Sequence, residues 1–331
     1  MLQYSCSTSG EVGKYMKGRY LMKQKGNKIV AMALAAVVAV GISITPISAS
    51  TSENDTPMIS YSRERSTRLE RQLELKTVSG KNVYSYPRLT VRLGDKTVSV
   101  QGIVINGVTY LPFRSTANAL GASYTYDSST KSATMRLPGL ELTATAGCYV
   151  SYANARAMFS VTPNVIMSDG RMYIPIETFT RPTGMTASVS GSTVSIRGSY
   201  KPISSAESYY RSDEVLWLAR IIHAESRGEP LLGQIAVGNV VLNRVRSSSY
   251  PNTIYGVIFD RKYGVQFSPV LDGTIYNTPS YSSTLAAKIC LEGYDISEGA
   301  LFFLRPELST SSWIPNNRPY AFSVGKHDFY K

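Results

Sequence analysis

Histidine and cysteine are scarce in this chain of 331 residues, with two of the first and three of the second. His223 and His327 lie far apart in sequence, and no Cys-x-x-Cys pair occurs. Structural zinc sites take their ligands from closely spaced Cys and His, and dithiol redox centres use the Cys-x-x-Cys spacing, so neither is expected. Cys6 falls in a leading segment, while Cys148 and Cys290 read as isolated buried thiols, which leaves no disulfide framework. The chain also lacks any run of Lys or Arg and any zinc-finger spacing, so nucleic acid is not expected as a partner despite a formal charge of +12.

That charge is unevenly placed. Six of the 35 basic residues (Lys14, Lys17, Arg19, Lys23, Lys25 and Lys28) and one of the 23 acidic ones, Glu11, precede residue 50, leaving 29 basic against 22 acidic, or +7. The remainder suits an anionic surface such as a cell wall. Lys23, Lys25 and Lys28 flank an apolar run from Ile29 to Ile44, followed by Thr45-Pro46-Ile47-Ser48-Ala49. A basic flank, an apolar stretch too short for a comfortable membrane span and a small residue after a helix breaker predict a secretory signal peptide, residues 1–49, removed on export. Residues 50–82, rich in Ser, Thr and charge, read as a linker.

From about residue 83 short strands are expected, and they repeat. Asn106-Gly107-Val108-Thr109-Tyr110-Leu111-Pro112-Phe113 with Gly121 is echoed by Asp169-Gly170-Arg171-Met172-Tyr173-Ile174-Pro175-Ile176 with Gly184, at one constant offset. Each copy predicts a hairpin turn, an apolar strand, a Pro-initiated helix and a Gly stop, with two closing strands: Ala122–Tyr126 with Ser132–Arg136, and Met185–Val189 with Thr193–Arg197. These phrases resemble the copper amine oxidase N-terminal-like domain of secreted bacterial proteins, over residues 83–198. The region holds no histidine, so the resemblance does not bring copper with it. A non-catalytic, wall-associated module is expected. Residues 199–212, with Pro202 among Ser, Tyr and Lys, read as a linker to a last domain at 213–331.

That domain opens with an amphipathic helix capped by Ser212 or Asp213. Val215, Leu218, Ala219 and Ile222 form its apolar stripe, and Glu225 falls on the same stripe. Gly228 ends the helix, which puts Glu225 in the last turn. Burial and the negative helix end both disfavour the carboxylate and should keep it protonated near neutral pH, as a glycosidic general acid must be. A second helix follows Glu229-Pro230, and its body, Ile235 to Val245, is apolar nearly all round and should be central. Cys290 reads as core on a helix over Ser283–Glu292.

His223-Ala224-Glu225-Ser226-Arg227-Gly228-Glu229-Pro230, Gly233-Gln234-Ile235-Ala236-Val237, Val241-Leu242-Asn243-Arg244-Val245, Gln266-Phe267-Ser268-Pro269-Val270, Ser312-Trp313 and Gly325-Lys326-His327-Asp328-Phe329-Tyr330 together resemble the spore cortex-lytic and cell wall hydrolase family, across 213–331. Ala224 and Ser226 stand where the commoner pattern has Gly and Ala. The resemblance implies a lysozyme-like, largely helical domain that cuts peptidoglycan glycan strands between the two amino sugars, with Glu225 as the catalytic residue. The expected fold is therefore multidomain α+β: a strand-rich domain of two ββαββ-like units, then a mainly α lysozyme-like catalytic domain. Candidates for substrate contact are Glu229, Gln266, Phe267, Ser268, Trp313 and His327; Phe267, Trp313 and Tyr320 carry rings that can stack on sugars. Glu229 alternatively caps the helix beside Pro230.

Glu225 is the sole carboxylate on an apolar stripe, whereas Glu229, Asp260, Asp272 and Asp328 fall in turns or loops and read as solvated. Paired carboxylates serve ordinary glycosidases. A single one favours a lytic transglycosylase, in which the sugar's own 6-hydroxyl takes the place of water. His223-Ala224-Glu225 also matches the H-x-E of zinc deaminases, but Pro-Cys-x-x-Cys is missing, as is His-Glu-x-x-His. No metal and no cofactor are expected. Peptidoglycan is the expected partner of an exported monomer in the wall or spore envelope, with a regulatory protein left open. The competing class is a non-enzymatic wall-binding protein that keeps this fold.

Overall fold

The computed structural model describes residues 88–331 apart from 94–95, 106–107, 161–165, 169, 191–192, 263 and 310. The expected signal peptide, the linker over 50–82, Cys6 and the turn residues Asn106, Gly107 and Asp169 lie outside the described residues. Among those described, no helix is long and apolar enough to cross a membrane.

The first part is strand-rich. Its elements run β1 (Arg88–Leu93), β2 (Lys96–Gln101), β3 (Ile103–Ile105), β4 (Val108–Pro112), α1 (Phe113–Ala119), β5 (Ser123–Asp127), β6 (Ser132–Leu137), β7 (Leu140–Thr145), β8 (Val150–Ala153), β9 (Arg156–Phe159), β10 (Ile166–Ser168), β11 (Arg171–Pro175), α2 (Ile176–Thr183), β12 (Thr186–Ser190) and β13 (Thr193–Arg197). The two apolar strands, β4 and β11, pair with each other antiparallel, Leu111 opposite Ile174, at the centre of the sheet β10-β11-β4-β3. Side chains alternate across a strand. Leu111 and Ile174 therefore pack on one face with Phe113 and Phe179, while Tyr110 and Tyr173 pack on the other with Ile103. The closing hairpins β5–β6 and β12–β13 form at the expected residues but do not close their own copies. β6 continues into the meander β5-β6-β7-β8-β9, and β13 pairs parallel with β1 in the sheet β12-β13-β1-β2. In each case a hairpin edge that would otherwise lie open is covered by a neighbouring strand.

The segment expected as a linker is a fixed strap. It holds a short helix, α3 (Ala206–Tyr209), capped by Ser205. Asn154 Nδ2 donates to the Ile203 carbonyl at 2.8 Å, and the Ala206 N–H donates to the Asn154 carbonyl at 2.9 Å.

The helical part contains α4 (Ser212–Ser226), α5 (Leu231–Arg246), α6 (Ile254–Ile258), α7 (Pro269–Asp272), a 3₁₀ turn (Thr274–Tyr276) and α8 (Tyr281–Leu291), then β14 (Phe302–Leu304), α9 (Trp313–Asn317), β15 (Tyr320–Val324) and β16 (His327–Tyr330). As expected, α5 is the central helix: every residue from Leu232 to Leu242 is buried, and Arg244 with them. α4 and α8 pack against it and against each other. The three helices approach so closely at Gly238 that a Cβ there would sit 2.7 Å from Cys290 Sγ and 2.8 Å from Ile222 Cδ1. Cys290 is free and buried, as read from sequence. Cys148 is buried but not free, so the expectation of two isolated thiols holds for Cys290 alone. The antiparallel sheet β14-β16-β15 was not anticipated. Its strands are only three to five residues long, too short to show an alternation.

A buried carboxylate joins the two parts. Glu292, at the C-terminal end of α8, has a side chain only 1% exposed. Arg156 of β9 donates to both its oxygens, Nε to Oε1 and Nη2 to Oε2, at 2.8 Å each. Tyr210 donates its hydroxyl to Oε1 at 2.6 Å, and Arg181 of α2 reaches Oε2 at 3.3 Å. Around this group Ala157 enters the helical core with Tyr152 and Phe159 against it, and Phe159 meets Tyr294 edge-on at 4.7 Å. Bidentate arginine pairing of this kind is stable only while both partners are present. Glu292→Ala leaves Arg156 buried and unpaired, at a cost of about 3–5 kcal/mol. Thermal unfolding is expected to show one transition shifted to lower temperature; two separated transitions would show that the parts fold independently.

Candidate active site

Glu225 occupies the last turn of α4, as the stripe predicts. The helix buries Leu218, Ala219, Ile221 and Ile222, and it ends at Ser226, whose Oγ donates back to the Ile222 carbonyl at 2.8 Å. At its start the expected cap is absent. Arg211 holds the cap position without a side-chain hydrogen bond, and Asp213 and Glu214 lie in the first turn, where their charge suits the helix dipole. Burial, then the charge of Asp272, pushes the Glu225 carboxyl up to about 7; Arg244 opposes this in part. A group balanced between acid and base near neutrality is what general acid–base catalysis requires.

Two charged residues around Glu225 were not singled out from sequence. Asp272, at the end of α7, is solvated as expected, but its charge reaches Glu225. It accepts from the Thr274 N–H at 2.8 Å and from Thr274 Oγ1 at 2.6 Å, and these bonds hold it ionised, below the usual carboxylate range. Arg244 lies on α5, where it is 6% exposed. Its Nε donates to the Leu301 carbonyl at 2.8 Å, and its guanidinium lies 5.1 Å from each of the Tyr250 and Phe267 ring centres. Arg244 carried the same signal as Glu225, a charge on an apolar helical stripe. Asp272 carried none, because only the tertiary fold turns α7 towards α4.

The remaining candidates divide. Gln266 and Phe267 join the group around Arg244: Gln266 Oε1 accepts from Arg244 Nη1 at 3.4 Å, and Phe267 is buried beneath the guanidinium. Phe267 is thus core, not an open stacking face. Trp313 is 52% exposed and connects to the same group through Phe302, which lies 6.3 Å from its ring and 5.5 Å from Arg244. Ser268 is exposed ahead of α7, and its carbonyl accepts from Leu271. Tyr320 is exposed and hydrogen-bonded to Ser323.

Glu229 and His327 form a separate, buried pair. The reading of Glu229 as solvated is corrected, since its side chain is 6% exposed, and so is the reading as a helix cap, since α5 has no side-chain cap. Glu229 Oε2 instead accepts from the Lys326 N–H at 2.8 Å, within the turn between β15 and β16. Gly325 makes this possible, with φ of +60° and no Cβ to collide with the carboxylate. His327 Nδ1 stands 3.9 Å from Glu229 Oε1, and burial holds the imidazole towards its neutral form. His327 packs edge-on against Phe303 and is buried, at 5% exposed. His223 Nδ1 accepts from the Ser280 N–H at 3.1 Å and so fixes the start of α8 to α4. Among the described residues no group of three or more His, Cys, Asp and Glu side chains converges as metal ligands would.

Residues 228–330 match the Cell Wall Hydrolase family model, and residues 92–197 match the copper amine oxidase N-terminal domain model. The chain carries a C-terminal cell wall hydrolase domain. The match to that domain begins just after Glu225, at Gly228. Spore cortex-lytic enzymes are relatives: that of Bacillus cereus is 43% identical over 122 residues, 37% of this chain and 46% of the relative. That of Halalkalibacterium halodurans is 39% identical over 120 residues, 36% of this chain and 35% of the relative. The chain thus spans less than half the length of these curated relatives. The catalytic domain of the germination-specific lytic transglycosylase SleB from Bacillus anthracis is 43% identical over 37% of this chain and 97% of that domain, with a TM-score of 0.34. The catalytic domain of Bacillus cereus SleB is 43% identical over 37% of this chain and 92% of that one, with the same TM-score of 0.34.

A carboxyl raised from 4.5 to about 7 makes the folded state bind its proton more tightly than the unfolded state does. The fold therefore loses stability as pH rises through that interval, on the order of 3 kcal/mol, and recovers it on acidification. Glu225→Gln is expected to melt at a higher temperature than the parent at pH 8 and at the same temperature below pH 4.5. Equal melting at both pH values would mean that Glu225 is ionised without cost.

Proposed function

We propose that this chain is an exported enzyme that cleaves the glycan strand of peptidoglycan between N-acetylmuramic acid and N-acetylglucosamine, with Glu225 as general acid and base. The observation that carries this reading is the carboxyl held near neutrality on the buried face of α4, in its last turn, beside an ionised Asp272. Protonated Glu225 gives its proton to the glycosidic oxygen as the bond to the anomeric carbon breaks. The positive charge developing on the sugar ring is favoured by the nearby Asp272 carboxylate. Glu225, now ionised, takes a proton from the sugar's own 6-hydroxyl, whose oxygen closes on the anomeric carbon. The proton account balances, Glu225 returns to its starting state, and the product carries an anhydro end. A lytic transglycosylase of this kind also agrees with the name borne by the SleB relative. Asp272 then acts through its charge and forms no bond to the sugar.

The scaffold is read as lysozyme-like, and the upstream region as a duplicated ββαββ unit that associates with the wall. A monomer acting on spore cortex, as the names of the relatives suggest, completes the proposal. A non-enzymatic wall-binding protein is the weaker alternative, because a binding surface gains nothing from a carboxyl buried at a cost in stability.

With peptidoglycan as substrate, Glu225→Gln should lower release of soluble muropeptides by about 10²–10⁴-fold with the far-ultraviolet circular dichroism unchanged. Mass spectrometry of the products is expected to show anhydro ends. Reducing ends would replace the transglycosylase step by hydrolysis, and a parent protein that releases nothing would overturn the enzyme reading.

A further inference from the structure

A second surface lies on α4, one end of the helix away from Glu225. Trp217 is ringed by aromatics: Tyr255 at 5.1 Å, Phe259 at 5.3 Å and Tyr276 at 6.2 Å between ring centres, all nearly perpendicular to it. Tyr255 and Tyr276 are more than half exposed, at 53% and 58%. Core aromatics are covered; these two hold open rings on a rigid base. Over the cluster lies the Arg220 guanidinium, 4.9 Å from the Trp217 ring centre and 6.0 Å from that of Tyr276. Arg220 Nε is buried with no hydrogen-bond partner, and no carboxylate pairs with this residue among the described residues. A cation stacked on aromatics, with no carboxylate beside it to neutralise it, suits an anionic or strongly accepting ligand.

The surface is continuous with the candidate active site. Trp217 and Arg220 share α4 with Glu225, and eight residues of helix from Trp217 to Glu225 span about 12 Å. The turn that brings Asp272 towards Glu225 also brings Tyr276 to Trp217, because α7 and the 3₁₀ turn both pack on α4. One segment, Pro269–Tyr276, therefore borders both places. A polymer lying across Glu225 and following α4 towards its N-terminus meets the aromatic rings and Arg220 next.

We propose that Trp217, Tyr255, Tyr276 and Arg220 form a distal subsite that stacks an amino-sugar ring of the glycan strand and binds the carboxylate ending the short peptide stem of an adjoining muramyl residue. This rests on the glycan-cleaving role given to Glu225 and names the part of the substrate read beyond the scissile bond. Tyrosine faces suit the apolar face of a sugar ring, and the guanidinium fork suits a carboxylate. The subsite holds the strand and takes no part in bond breaking.

Binding and cleavage can be separated. In the full chain carrying Glu225→Gln, titration calorimetry with soluble muro-oligosaccharides measures binding alone, and adding Tyr276→Ala or Tyr255→Ala is expected to weaken it about fivefold to tenfold. Arg220→Gln should weaken binding of fragments whose stem ends in a free carboxylate and leave fragments with that carboxylate capped as a carboxamide unaffected. On the Glu225-bearing protein, the same three substitutions should raise KM for long strands with kcat kept. Affinity unchanged in all three variants, while the parent still releases muropeptides, would overturn the subsite and leave the cleavage role standing. A parent that binds fragments in a Tyr276-dependent way but releases nothing would overturn the cleavage role and keep the subsite.

Discussion

The helical part depends on one constraint: α5 has no polar face to give to solvent. Eleven consecutive positions, Leu232 to Leu242, are buried, so α4 and α8 must cover it from different sides. The side chains on α5 that do need partners find them in the loops laid over it. Gln234 donates to the Glu229 carbonyl at 3.0 Å and accepts from Ser283 at 2.9 Å, while Asn239 and Asn243 hold the segment after α8 through Tyr294 and Ala300. Gln234 and Asn239 are buried amides and Asn243 a half-buried one; their bonds offset the cost of burial, and each fixes where a loop runs. The same helix delivers Arg244 to the neighbourhood of Glu225. Core and site are therefore not separable here.

Electrostatically the site is a balance of three charges. Burial alone would keep Glu225 protonated, Asp272 strengthens that tendency, and Arg244 limits it. Arg244 is itself pulled down by burial and supported by Tyr250, Asp260 and Glu225. The outcome is a carboxyl that can give and take a proton in one cycle. Asp272 stays ionised because Thr274 hydrogen-bonds it at the surface. Two carboxyl groups with opposite preferences are arranged by burial of one and solvation of the other.

The upstream domain is tied in by the same kind of physics. Glu292 caps α8 from within and is neutralised by Arg156, whose guanidinium stacks 3.4 Å above the Tyr209 ring. A wall-associated module on a loose tether would not need such a group. The strap over 199–212 and the bidentate pair place the strand-rich part against α8, the helix that also supports α4.

Local pattern was sufficient for the helices and for Glu225. The α4 stripe, the uninterrupted apolar run of α5 and the repeated Tyr-x-Pro strands are short-range features, and period and composition determine them. Residues whose role depends on distant partners were not legible. Glu229 and Asp272 both sit in turns and looked alike, yet β16 and its preceding turn bury Glu229 while Asp272 stays solvated and faces Glu225. Phe267 and His327 lie within family-like phrases, and their burial, against Arg244 and Phe303, was not legible there. The exchange of closing strands between the two copies likewise depends on which open edges meet, which no single copy encodes. The sequence by itself determined which carboxyl falls on the apolar stripe and the helix that carries it, since both follow from spacing along one segment. Only the tertiary structure decided which charges surround that carboxyl, because burial and distance are set by elements far apart in the chain.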